Sequence, residues 1–155
     1  MRYFLALTLP LYVLDQLTKW LVLRSIGTDD QIAVIPGFFY LVQVHNTGAA
    51  FGMLSNNNVF FIALASVAMV VIAVLWKRGA FPGWPAQVGV ALLLSGVLGN
   101  LTDRLRLGFV VDFLHFILPW YGHWPAFNVA DSCICVAAGL LLIGALTEPK
   151  KATAS

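Results

Sequence analysis

The sequence predicts an all-α membrane protein: four transmembrane helices with a small external β-sheet region and both termini cytoplasmic. Three observations carry this. Of 155 residues, 60% are hydrophobic and only 10% charged, with a mean hydropathy of +0.86, whereas a water-soluble domain holds about a quarter charged residues. Four stretches supply the roughly 20 mainly apolar residues that a helix needs to cross a bilayer core. Lys and Arg outside those stretches gather at one set of ends, as they do on the cytoplasmic side of membrane proteins. The same composition argues against a disordered chain and against a nucleic-acid partner, because nine Lys and Arg spread singly or in pairs make no basic stripe. With no internal repeat, residues 1–155 are expected to form a single membrane domain.

The first span runs from Tyr3 to Ile26 and stops at Gly27, Asp29 and Asp30. It carries Asp15, Gln16 and Lys19 inside its apolar run and lacks a small-residue cleavage site, so it reads as a span and not as a cleaved signal peptide. The second runs from Val59 to Trp76 and ends in Lys77, Arg78 and Gly79; the third runs from Pro85 to Leu105; the fourth runs from Phe127 to Leu146, ahead of Glu148 and Pro149. Arg2, Lys77, Arg78, Lys150 and Lys151 mark the inner side. No Lys or Arg lies between Gly27 and Asn58 or between Gly108 and Ala126, so these two connections face outward.

Within the first outward loop, Phe38 to Val44 form a β-prone run, entered through Pro36-Gly37 and left through the turn sequence Asn46-Thr47-Gly48. An apolar sheet there would lie on the membrane surface. The second loop carries Trp120, Tyr121 and Trp124, suited to an interfacial aromatic belt. In the third span, Ser95 and Gly99 are small residues four apart, a spacing that lets helices approach closely. Cys133 and Cys135, two apart in the fourth span, point in different directions on a helix and indicate neither a disulfide nor a metal pattern.

In a chain this poor in charge, ionisable groups in or beside a span are functional suspects, because burying one costs several kcal/mol unless it is paired. Asp15 and Lys19 sit four apart with the acid first, the better order for a pair on one helix face. An ion pair that positions the first helix and a direct role in chemistry both fit them. Asn100, Asp103 and Arg104 share a face at the outer end of the third span. Arg106 snorkels to headgroups in this reading, while Arg104 belongs to a structural or substrate-contacting network.

Two acids remain. Asp112 is embedded in Val110-Val111-Asp112-Phe113 just after the third span, and Asp131 stands at the start of the fourth. Both fall on the outer side, and 18 intervening residues allow their carboxyl groups to meet. Asn128 as a cap with Asp131 in the first helical turn accounts for Asp131 without chemistry. Asp112 has no such account: among two valines and a phenylalanine a carboxylate is costly unless it is stabilised or protonated. Two carboxyl groups within reach share a proton and together activate a water and protonate a leaving group, the chemistry of aspartic peptidases.

Other chemistries fit less well. No serine or cysteine shows a local motif pairing it with His45, His115 or His123, and His115, His123 and Asp112 do not have zinc-ligand spacing. A metal is therefore not expected, and no cofactor is predicted. A small transporter using Asp15 and Lys19 for coupling, or a membrane assembly subunit with its acids as caps, remains an alternative from the residues alone.

Five blocks stand out: Asp15-Gln16-Leu17-Thr18-Lys19, Asn46-Thr47-Gly48-Ala49-Ala50-Phe51, Gly99-Asn100-Leu101-Thr102-Asp103-Arg104, Gly108-Phe109-Val110-Val111-Asp112-Phe113 and Phe127-Asn128-Val129-Ala130-Asp131. Together they resemble the bacterial lipoprotein signal peptidases, also called signal peptidase II. They occur in order on four spans and cover almost the whole chain; Ser95-Gly96 departs from the Gly-Gly pair of many members.

The resemblance implies an aspartic endopeptidase of the bacterial inner membrane. It would cut prolipoproteins on the N-terminal side of a diacylglyceryl-modified cysteine, near the periplasmic face. It also implies Asp112 and Asp131 as the catalytic pair, Asn46, Gly48, Asn100, Arg104 and Asn128 as lining or bracing residues, and Asp15 and Lys19 as supports. Globomycin is expected in the substrate groove, and one chain suffices as a monomer.

Overall fold

The computed structural model describes residues 3–48 and 56–147. The chain enters through a π-helical turn, Phe4–Thr8, that runs directly into helix α1, Leu9–Ser25. Pro10 explains the turn: it has no N–H for the Ala6 carbonyl four residues back and its ring crowds that carbonyl, so the ladder widens. The Thr8 hydroxyl, buried, donates to the Ala91 carbonyl at 2.8 Å and ties the turn to the bundle. Helix α2 is Asn58–Lys77, α3 is Gly83–Leu107 and α4 is Val129–Thr147. These three are long and apolar enough to cross a membrane, with mean hydropathies of 2.8, 1.3 and 2.2. Helix α1 by itself is 17 residues long.

Helix α3 is the centre of the bundle, packing on α4 most extensively and also on α1 and α2. Its lower hydropathy records buried polar side chains, Ser95, Asn100 and Asp103. Helix α2 presents Val59, Phe60, Leu64, Val67 and Val70 outward, an apolar surface suited to lipid and not to water. Close approach of α3 to its neighbours depends on its glycines: a Cβ on Gly96 would collide with the Ala130 carbonyl oxygen of α4, and one on Gly99 would lie 2.5 Å from Asp15 Oδ2 of α1.

Between the helices lies one antiparallel sheet in the order β1-β2-β3-β4, formed by Gln31–Ile35, Phe39–Asn46, Val110–Leu118 and Gly122–His123. The expected strand at 38–44 is present as β2 from Phe39 onward, and it runs on through Asn46, which the sequence places in the turn. The connection between α3 and α4 differs from the simple aromatic-rich loop expected, because half of it is β3. The run Val110–Leu118 is β-branched and aromatic, a composition that fits a pleated, half-buried surface. Its partner is β2, in the register Val44↔Asp112 and Asn46↔Val110. Gly108, in the left-handed conformation at φ +83°, ends α3 and turns the chain into β3.

Alternation along β3 then decides which way each side chain faces. Val111 and Phe113 pack with Val22 of α1 and with Ile26, the residue that follows the helix, into a buried apolar cluster. Asp112, between them, faces the other side. Further along, Leu114 bridges to Phe127, whose carbonyl accepts the Leu114 N–H at 2.8 Å and whose N–H donates back to the Leu114 carbonyl at 3.1 Å. This bridge draws the start of α4 against β3.

Candidate active site

The bridge sets Asn128 beside Asp112, and Asp131 follows three residues later in the first turn of α4. Asn128 Oδ1 accepts the Asp131 N–H at 2.9 Å, and Asp131 Oδ2 accepts the Asn128 N–H at 3.2 Å. This is the reciprocal pattern of a helix cap, as the sequence suggested for these two residues. The cap accounts for only one Asp131 oxygen. Asp131 Oδ1 accepts from Asn100 Nδ2 of α3 at 2.8 Å. Asp112 is held in the same manner: Asn46 Nδ2 donates to Oδ2 at 2.9 Å and Asn128 Nδ2 to Oδ1 at 2.7 Å.

Both carboxyl groups line one cleft of about 830 Å³, together with Asn46, Gly48, Asn100 and Arg104. Asp112 is 2% exposed. Burial, followed by the neighbouring charge of Asp131, pushes its carboxyl up to about 7, against the pull of the Asn46 and Asn128 donors and the Lys19 charge.

Beneath the cleft lies a second layer of polar groups. Lys19 pairs with Asp15 Oδ2 and with Asp103 Oδ2, each at 2.9 Å, and donates to Asn100 Oδ1 at 3.0 Å. The expected Asp15–Lys19 pair is therefore present, as part of a larger set. Asp15 Oδ1 accepts the Ala130 N–H at 2.9 Å, Asp103 Oδ2 accepts the Val111 N–H at 3.1 Å, and Gln16 Nε2 donates to Asp103 Oδ1 at 3.0 Å. Each acid thus fixes the backbone next to one of the cleft aspartates. Asn100, Asp103 and Arg104 do not act as one cluster. Asn100 and Asp103 face Lys19, while Arg104 Nη2 reaches the Gly48 carbonyl at 3.0 Å and its guanidinium lies 4.7 Å from the Phe61 ring centre.

Asn46 and Gly48 of the second block are in place: the Gly48 N–H donates to Asn46 Oδ1 at 2.9 Å. Ala49, Ala50 and Phe51 lie outside the described residues, as do Arg2, Lys150 and Lys151 of the charge argument. Sequence reasoning did not join Gln16 to the site, nor did it place His45, His115 and His123 on the cleft wall. His123 Nδ1 lies 3.2 Å from His115 Nε2, and burial together with His123 lowers the His115 imidazole below its ordinary value. Strand alternation sets Asp112 and Leu114 on one face of β3 and His115 on the other, so no local pattern marked His115 as a residue of the cleft wall. Cys133 is buried and Cys135 exposed, facing apart as their spacing requires.

Paired carboxyls on an apolar helical frame define a class, the aspartic peptidases that work at a membrane. Comparison with known proteins narrows it. A family model described as signal peptidase (SPase) II matches residues 7–147, and the chain belongs to that family. It is 45% identical to a lipoprotein signal peptidase of Syntrophotalea carbinolica over 92% of this chain and 89% of that one. It is 42% identical to one of Symbiobacterium thermophilum over 97% and 98%. A solved bacterial membrane enzyme superposes with a TM-score of 0.87 at 30% identity, covering 98% of this chain and 93% of its own.

Proposed function

We propose that this protein removes signal peptides from bacterial prolipoproteins as an aspartic endopeptidase, cutting on the N-terminal side of a diacylglyceryl-modified cysteine, with Asp112 and Asp131 as the catalytic pair. The observation that carries the assignment is the convergence of these two carboxyls in one cleft, each oxygen already receiving a hydrogen bond. Near neutrality the pair carries one proton, in keeping with an Asp112 carboxyl pushed up to about 7. One carboxylate takes a proton from water, the water attacks the scissile carbonyl, and the other carboxyl protonates the leaving amine.

Asn46, Asn100 and Asn128 brace the pair, and Asp15 and Lys19 support them from below. Gly48 and Arg104 contact the substrate backbone. Arg104 Nε is buried without a partner among the described residues and is a donor still open for a substrate carbonyl or the developing oxyanion.

The same reading makes α1 and its π turn a fourth span, with cytoplasmic termini and the cleft at the periplasmic face of the inner membrane. The chain then forms one domain over residues 1–155 and works as a monomer, with globomycin in the cleft. A substrate that is a membrane helix with an attached diacylglycerol presents its bond near that interface.

The test is cleavage of a diacylglyceryl-modified prolipoprotein by the purified protein in detergent, read by gel shift, with the unmodified prolipoprotein alongside. Release of the signal peptide from the modified form alone is expected. Equal cleavage of both would remove lipid recognition from the proposal, and full cleavage by folded Asp112→Asn or Asp131→Asn protein would remove the aspartate mechanism.

A further inference from the structure

An ammonium has three N–H donors and accepts nothing. Those of Lys19, which is 2% exposed, go to Asp15, Asp103 and Asn100. The two carboxylates are enough to neutralise and anchor the charge. The third contact, to a neutral amide, has a separate consequence: it determines which end of Asn100 faces the cleft. With Oδ1 on Lys19, Nδ2 faces Asp131 Oδ1 at 2.8 Å. Turning the amide over would set N–H against ammonium and oxygen against a carboxyl group, so two hydrogen bonds would become two repulsions. Asn100 Oδ1 also receives Asn128 Nδ2 at 3.2 Å, the same nitrogen that reaches Asp112 Oδ1 at 2.7 Å. The amide held by the ammonium therefore donates to Asp131 and accepts from Asn128, one of the two donors of Asp112.

We infer that Lys19 is a positioning residue that fixes the amide direction of Asn100 and, through it, the hydrogen bonds that align Asp131 and Asp112. This rests on the proposal that those two aspartates are the catalytic pair. Around the ammonium stand Asp15 from its own helix and Asp103 from α3, with Asp131 of α4 one amide away, Asp112 of β3 two amides away, through Asn100 and Asn128, and Arg104 turned toward Gly48. An anchor that merely holds α1 to α3 would need only the two ion pairs. A positioning residue needs Asn100 as well, and the two roles separate in a double-variant experiment.

Cleavage of diacylglyceryl-modified prolipoprotein is measured across pH for the wild-type protein, Lys19→Met, Asn100→Ala, the double variant and Asn100→Asp. Lys19→Met and Asn100→Ala are each expected to lower kcat by about 10- to 100-fold, the scale of misplaced catalytic groups, with little change in KM. The double variant is expected to be no slower than the slower single variant, because both changes remove the same alignment. Losses that multiply in the double variant overturn the inference, as does a Lys19→Met enzyme with wild-type kcat.

Asn100→Asp conserves size and leaves Lys19 in place. One of its oxygens stays on the ammonium, and the other donates to Asp131 only after taking a proton, so its activity profile is expected to move to lower pH. A profile matching the wild type overturns the inference even if Lys19→Met does not fold. Loss of cleavage in Asp112→Asn and Asp131→Asn, combined with multiplying Lys19 and Asn100 effects, removes the positioning role and leaves the catalytic proposal standing. Full cleavage by either aspartate variant removes the catalytic proposal itself.

Discussion

Each asparagine at the cleft has its amide oxygen occupied: Asn46 by the Gly48 N–H, Asn128 by the Asp131 N–H and Asn100 by Lys19. The amide nitrogens are thereby turned onto the carboxyls, which is why three neutral side chains can brace two acids without adding charge. Asp112→Asn and Asp131→Asn are each expected to lower cleavage by 10²-fold or more, the typical share of general acid–base catalysis, with the variants still folded. The Asp112 carboxyl, raised from 3.8 to about 7, has a definite pH signature. Because its folded value lies above its unfolded one, its contribution to stability is fully present below about 3.8 and is lost as pH rises through about 7. Cleavage is expected to decline above about pH 7 as the proton of the pair leaves. Asp112→Asn is expected to gain on the wild type in thermal midpoint by a few degrees at pH 8 relative to pH 5. A midpoint difference independent of pH would contradict the raised carboxyl.

At the scale of elements, α4 begins where catalysis is proposed, so its cap and the site share Asn128. Asn128→Ser keeps a side-chain oxygen that can cap the helix and removes the amide donor to Asp112. Thermal stability near the wild type with markedly slower cleavage is expected; Asn128→Ala is expected to lose about 1 kcal/mol of stability in addition. The α3–α4 contact is equally specific. Gly96→Val drives a side chain against the Ala130 carbonyl and Ile134, an overpacking expected to cost about 1–3 kcal/mol and to shift Asp131 with its helix. The alternation of β3 was present in its composition, yet its pairing with β2 joins positions such as Val44 and Asp112, far apart in the chain, through a register that no local pattern states. For the same reason the Lys19–Asp15 pair was legible from a four-residue spacing, while Lys19–Asp103 and Asn100–Asp131 were not.

For the whole molecule, an apolar exterior surrounds an interior that holds paired polar and charged groups beside its apolar residues, unlike a soluble domain. Lys19, Asp15, Asp112 and Asn128 are among its most buried side chains, while Val59, Val70 and Leu146 are exposed. The proposed topology places Trp120 outside and Lys77 inside. In intact cells, with Cys133 and Cys135 replaced by alanine, a membrane-impermeant maleimide is expected to label Trp120→Cys and to spare Lys77→Cys. The reverse pattern would invert the orientation.

Composition and spacing by themselves determined the lipid environment, the approximate limits of the long apolar segments, the Asp15–Lys19 pair and the Asn128–Asp131 cap. Each depends on neighbours within one or two helical turns. Tertiary structure alone decided that β3 pairs with β2 and meets Phe127, that Asp112 faces the cleft while Val111 and Phe113 face α1, and that one buried ammonium orients the amide between α1 and α4. Those facts are contacts between segments distant in the chain. They arise because a buried polar group in an apolar frame is stable only where every donor finds its acceptor, and the folded arrangement supplies those partners.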